Sequence, residues 1–233
     1  MAQHVLVAGG TSGIGLATAR AFAARGDAVT ITGRSQQKID ASGLRGIVAD
    51  AGTADGVRAA FADGVRYDHL VLALGGSRGG GPLGALGDLR AAFDEKFWPH
   101  VELLRAAPAH LAADASITLV TAGSAQAALP GTSGLAALNG ALEAMVGPLA
   151  VELAPVRVNA VSPGVIRTPW WDGVPAADRD ALFKSYAAAL PAGRIGRAEE
   201  VADAIVALAT NGYITGTVLP VAGGVQLAAG PRA

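Results

Sequence analysis

Cysteine is absent from the 233 residues, which excludes disulfides and thiolate metal sites and fits a reducing compartment. Charge is scarce too. Asp, Glu, Lys and Arg make up 16% of the chain and nearly cancel at −1, with no basic run, so a nucleic-acid footprint is not expected. The four histidines (His4, His69, His100 and His110) show no H-E-x-x-H spacing, and no metal site is expected. The N-terminus lacks a basic region followed by a long apolar core. Neither secretion nor membrane anchoring is therefore expected, and a cytoplasmic protein is. Linkers, repeats and low-complexity segments are also missing, and the length suits one α/β domain spanning 1–233.

Glycine (32 residues) and apolar residues (51%) are plentiful, a composition that suits a buried sheet with many tight turns. Apolar strand-like runs at 4–8, 28–32, 45–49, 69–74, 116–121, 156–161 and 217–221 alternate with helical patterns. Those helices are expected at 14–25, from Thr53 to Val65, from Asp88 onward, over 133–154, and at about 176–190 and 198–210. Nearly continuous apolar strands between helices imply a parallel sheet covered on both faces. The expected fold is a single Rossmann-like, doubly wound α/β domain with about seven strands.

At the first strand-to-helix turn, residues 8–15 read AGGTSGIG. Gly9, Gly13 and Gly15 let the backbone turn sharply and approach a pyrophosphate. Thr11, Ser12 and Ile14 complete a cradle at a helix N-terminus. The end of the second strand selects the dinucleotide. An acid there would hold a ribose 2′-hydroxyl, but this chain has Arg34 and Ser35. An arginine fork matches a 2′-phosphate, so the expected cofactor is NADP(H).

The spacing G-x-x-x-G-x-G resembles that of the short-chain dehydrogenase/reductase (SDR) family, and the resemblance extends over almost the whole chain. Residues 157–168, RVNAVSPGVIRT, match a second signature of that family. By resemblance, Asp50 and Ala51 contact the adenine end, and Leu74 and Gly75 follow the fourth strand beside the cofactor. Pro163, Gly164, Val165, Ile166 and Thr168 line the nicotinamide. Trp170 and Trp171 fall in the substrate-covering segment. The resemblance also implies a homotetramer formed through the two long helices of the middle of the chain.

Family members reduce carbonyls with a Tyr-x-x-x-Lys pair, a serine and an asparagine. Aligned through ALEAMVGPLAVELAP (141–155), the tyrosine position holds Leu135 and the lysine position Asn139. The serine position falls at Ala122, with Thr121 and Ser124 close by, and the asparagine position holds Lys96. Leu135 cannot transfer a proton, while Asn139 can still bond a ribose hydroxyl. Lys96, facing an apolar pocket, becomes the candidate proton donor, with Ser124 or Thr121 polarising the substrate. Pro99 is expected to interrupt the helix carrying Lys96, with Trp98 helping to shape a site.

Gly75 to Gly79 also match the hydrolase elbow G-x-S-x-G. An elbow runs straight into a helix, and GGGPLGALG is read as non-helical. The expected function is therefore NADP(H)-dependent reduction of a small carbonyl-like or conjugated substrate. The alternative is a non-catalytic NADP(H)-binding sensor or partner protein.

Overall fold

The computed structural model describes residues 2–227, leaving aside the side chains of residues 85–87. Nine strands follow in chain order: β1 (His4–Ala8), β2 (Ala28–Gly33), β3 (Arg45–Val48), β4 (Tyr67–Leu72), β5 (Leu111–Val120), β6 (Arg157–Pro163), β7 (Ile166–Arg167), β8 (Gly196–Arg197) and β9 (Val218–Val221). Seven form one sheet in the order β3-β2-β1-β4-β5-β6-β9, with every neighbouring pair parallel. β7 and β8 make a separate short pair. The chain proceeds outward from β1 to β3, then returns to lay β4 on the other side of β1. This switch point opens a crevice at the carboxyl ends of the strands, where α/β sheets bind ligands.

The helices are α1 (Gly13–Ala24), α2 (Gln36–Ser42), α3 (Ala54–Ala60), α4 (Leu89–Ala92), α5 (Trp98–Ala106), α6 (Ser133–Glu152), α7 (Ala176–Ala189) and α8 (Ala198–Thr210). Two apolar layers sandwich the sheet. One gathers Leu6, Leu70, Leu72, Ile117 and Leu119 with Leu103 of α5 and Leu142 and Val146 of α6. The other packs Val5, Val7, Ile31 and Val71 against Phe22 of α1 and Val201, Ile205 and Leu208 of α8. Helix α6 is long and apolar enough to cross a bilayer by length and composition. In this fold its Leu138, Leu142 and Val146 are buried instead. The Arg157 side chain donates to the carbonyls of Leu208, Ala209 and Ile214, and Asn159 bonds Ile214 and Thr217. These two residues of the second signature therefore tie the end of α8 to β6.

Several boundaries differ from the expectations. The third helix ends at Ala60, not Val65, and β5 begins at Leu111, five residues before the apolar run. Helix α2 was not anticipated because only Ile39 of its seven residues is buried, too little for a periodic pattern. Its caps were readable: Ser35 accepts from Lys38 N–H, and Gly43 closes it with φ +71°. Leu83–Asp88 forms a 3₁₀ turn in the segment read as non-helical, and the hydrolase motif still has no helix directly after it. Pro99 does not break its helix. It sits in the first turn of α5, immediately after a π-helical turn at Phe93–Phe97 that joins α4 to α5.

Candidate active site

The glycines of the first turn are required by close approach. A Cβ on Gly15 would lie 2.2 Å from the Gly9 carbonyl oxygen, and one on Gly9, at φ +80°, 2.5 Å from that of Ala73. Helix α1 begins without a side-chain cap and without an acid in its first turn. Its leading N–H groups and positive dipole end therefore face the crevice, a donor set suited to a pyrophosphate. On this geometry the residues present fit a dinucleotide.

The crevice has a volume of about 960 Å³ and runs from the end of β2 to α7. Every residue expected to bind cofactor or substrate or to take part in catalysis lines it, and Trp98 does not. Gly9, Thr11, Ser12, Gly13, Ile14 and Gly15 form the floor, with Arg34, Ser35, Asp50 and Ala51 at one end. Leu74, Gly75, Pro163, Gly164, Val165, Ile166 and Thr168 form the middle, and Lys96, Ser124, Asn139, Trp170 and Trp171 the other end. Arg34 is exposed and makes no hydrogen bond or ion pair among the described residues, so its fork is available. Lys38, one turn along α2, also lines this end. It was overlooked because it follows the strand end by five residues. Among the described residues, no three His, Asp or Glu side chains converge as metal ligands.

Lys96 is buried at 8% exposure, not a snorkelling surface lysine. It lies in the π turn, where Trp98 N–H reaches back five residues to the Phe93 carbonyl. Pro99 has no N–H to continue the ordinary ladder, and His100 Nδ1 takes the Lys96 carbonyl at 2.7 Å. Such turns recur at functional sites. Lys96 Nζ donates to Asn139 Oδ1 at 2.7 Å and to the Thr121 carbonyl at 3.3 Å. Burial pushes its pKa down to about 8, and the Glu143 carboxylate opposes that fall. Burial, and then the Lys96 charge, push His100 down to about 4.

The neighbouring groups sort themselves by their bonds. Asn139 Nδ2 donates to the Leu135 carbonyl at 2.9 Å and reaches Ser124 Oγ at 3.5 Å. With Oδ1 on Lys96, the Asn139 amide is engaged on both sides. The Thr121 hydroxyl is already engaged, lying 2.7 Å from Glu143 Oε1 and 3.0 Å from the Val161 carbonyl. Of the two hydroxyls considered, Ser124 is the one facing the crevice without a strong partner. Leu135 packs beneath the Gly-rich loop, where Cβ atoms built on Gly79 and Gly80 would lie 3.6 and 3.7 Å from its methyls.

That loop is held at two points. Glu95 accepts from Ser77 N–H at 2.9 Å and from Arg78 Nε at 2.8 Å. Trp170 Nε1 donates to the Gly76 carbonyl at 2.8 Å. Trp171 stands edge-on between Trp170 and Phe183 of α7. Trp98, expected to shape the site, instead is 51% exposed and packs edge-on against Phe97 outside the crevice. Sequence reasoning also missed Tyr186, whose half-buried side chain lines the substrate end, and Glu143. Glu143 lies four residues after Asn139, so the same-face rule for helices could have found it.

The family described as Enoyl-(Acyl carrier protein) reductase matches residues 8–226. The chain belongs to the short-chain dehydrogenase/reductase family. It is 34% identical over 251 residues to the (2S)-[(R)-hydroxy(phenyl)methyl]succinyl-CoA dehydrogenase subunit BbsD of Thauera aromatica, covering 97% of each chain. It is 32% identical over 242 residues to the short-chain reductase protein NovJ of Streptomyces niveus, covering 94% of this chain and 92% of that one. A crystal structure of a small-chain dehydrogenase in complex with NADPH superposes with a TM-score of 0.87 at 33% identity, over 97% of this chain and all of the other. The SDR chain is accordingly an oxidoreductase of this type, with the family's fold.

Proposed function

We propose that this SDR protein is an NADP(H)-dependent reductase of a small carbonyl-like or conjugated substrate, with Lys96 in place of the usual tyrosine as proton donor. The observation that carries the proposal is the buried Lys96 ammonium bonded to Asn139 inside the crevice. A bound dihydronicotinamide would supply the hydride. Reduction leaves negative charge on the substrate oxygen, which needs a proton or a strong donor. Lys96 has three N–H groups, of which two are engaged, leaving one to donate. The Asn139 amide has no titratable proton to relay, so transfer from Lys96 is direct. Ser124 polarises the same oxygen, and Asn139 sets the position of both.

The NADP(H) preference rests on Arg34, with Lys38 on the same crevice wall, and on the lack of an acid at the end of β2 to oppose a 2′-phosphate. Trp170, Trp171 and Tyr186 form the aromatic wall of the substrate end. The exposed small and apolar face of α6 (Ala137, Ala144, Gly147, Val151), with the exposed Trp98 of α5, supports a homotetramer through these helices. The open crevice favours catalysis over the sensor reading, in which Leu135 and its neighbours would fill the substrate end. Following NADPH absorbance over a panel of ketones, quinones and imines tests the assignment. Lys96→Met should abolish turnover while NADPH affinity stays within a few-fold. Normal turnover by that variant would remove Lys96 from the reaction.

A further inference from the structure

Glu143 of α6 is half-buried beside the end of β5. Its Oε1 accepts from the Thr121 and Ser162 hydroxyls, both at 2.7 Å, and its Oε2 from Gln126 Nε2 at 3.0 Å. All three donors are neutral, and Glu143 forms no ion pair within 4 Å among the described residues. A carboxylate held this firmly without an adjacent cation costs desolvation that three neutral hydrogen bonds only partly offset. A cation able to balance it, Lys96, is on the other side of one residue. Glu143 binds the Thr121 hydroxyl, and Lys96 binds the Thr121 carbonyl.

We propose that Glu143 is a positioning residue, the counter-charge that keeps Lys96 an ammonium in the crevice. The inference rests on Lys96 being the proton donor and adds what keeps that donor loaded. The other charged or titratable groups around Lys96 do not serve. Glu95, in the same turn, directs its carboxylate outward to Ser77 and Arg78, and Arg78 pairs with it at 2.8 Å. His100 of α5 is neutral at ordinary pH and accepts no proton from Lys96. Asn139 and the Thr121 carbonyl are neutral acceptors, so they orient the ammonium without supplying charge.

The chain has only three lysines (Lys38, Lys96 and Lys184), so the titration of Lys96 can be followed directly. Lysine labelled at Cε and Nζ gives three NMR signals, and Lys96→Met assigns the one that belongs to the site. Glu143→Gln should move the Lys96 midpoint to lower pH by about one unit, a roughly tenfold change in the proton equilibrium. The alkaline fall in kcat should move with it. Gln126→Ala, which removes one bond to the carboxylate but keeps its charge, should leave the Lys96 midpoint in place. A merely structural role for Glu143 would move both variants together or neither. An unchanged Lys96 midpoint in folded Glu143→Gln overturns the inference while leaving Lys96 as donor. A Lys96→Met protein that turns over normally overturns the donor reading by itself.

Discussion

Replacing Lys96 by Met should change stability with opposite signs at neutral and at high pH. The lysine pKa is about 8 in the fold against 10.5 when exposed. Below pH 8 the folded state therefore carries a penalty of roughly 3 kcal/mol for burying the charge, at about 1.4 kcal/mol per pKa unit. The sign follows from proton counts. Between pH 8 and 10.5 the unfolded chain binds this proton and the folded one does not, so wild-type stability rises with pH through that window. Methionine fills a similar volume without charge, but it leaves Asn139 Oδ1 and the Thr121 carbonyl without their donor. At about 1 kcal/mol for each buried acceptor, that costs roughly 2 kcal/mol at every pH. The variant should thus be more stable than wild type by about 1 kcal/mol at pH 7 and less stable by about 1 kcal/mol at pH 10, the curves crossing near pH 9. Urea denaturation at a series of pH values, with m unchanged, measures the difference. A variant that is less stable by the same amount from pH 7 to pH 10 would show that Lys96 is not buried as a charged group.

Three further outcomes follow from the site. Arg34→Leu should lower NADPH affinity at least about tenfold and leave NADH affinity nearly unchanged, read by fluorescence titration; equal losses for both would place Arg34 outside the 2′-phosphate subsite. Gly15→Ala sets a Cβ 2.2 Å from the Gly9 carbonyl, so the cradle must open. We expect about 1–3 kcal/mol of destabilisation and loss of dinucleotide binding, checked by calorimetry, and unaltered binding would contradict the close approach. Light scattering at micromolar concentration should give the mass of four chains, and Val151→Glu on the exposed face of α6 should reduce it; a monomeric wild type rules out the α5–α6 interface.

The sheet was readable because its central strands are buried on both faces and so run apolar almost without break, as in Leu6, Val7, Leu70, Val71 and Leu72. The cradle was equally legible, since glycines at those spacings leave few other roles after a strand. The helix through Lys96 was read less well. Pro99 signals a break, but a proline in the first turn of a helix costs nothing there, and the π turn before it takes up the mismatch. The exposure of Trp98 follows from that change of register and is invisible in composition. The family resemblance pointed to Lys96 and Asn139 as separate candidates, and only the fold brings them to 2.7 Å. Glu143 was missed because a lone glutamate in an apolar helix reads as surface until its three donors arrive from β6 (Ser162) and from the segment after β5 (Thr121 and Gln126).

Deuterium transfer tests the central claim most directly. NADPH carrying deuterium at C4 should be incubated with the purified protein and a panel of ketones, quinones and imines, and the products weighed by mass spectrometry. The account predicts at least one product bearing a single deuterium on the reduced centre from wild type, and none from Lys96→Met. Tight NADPH binding with no deuterium transferred to any substrate would contradict the reductase assignment and leave a cofactor-binding protein.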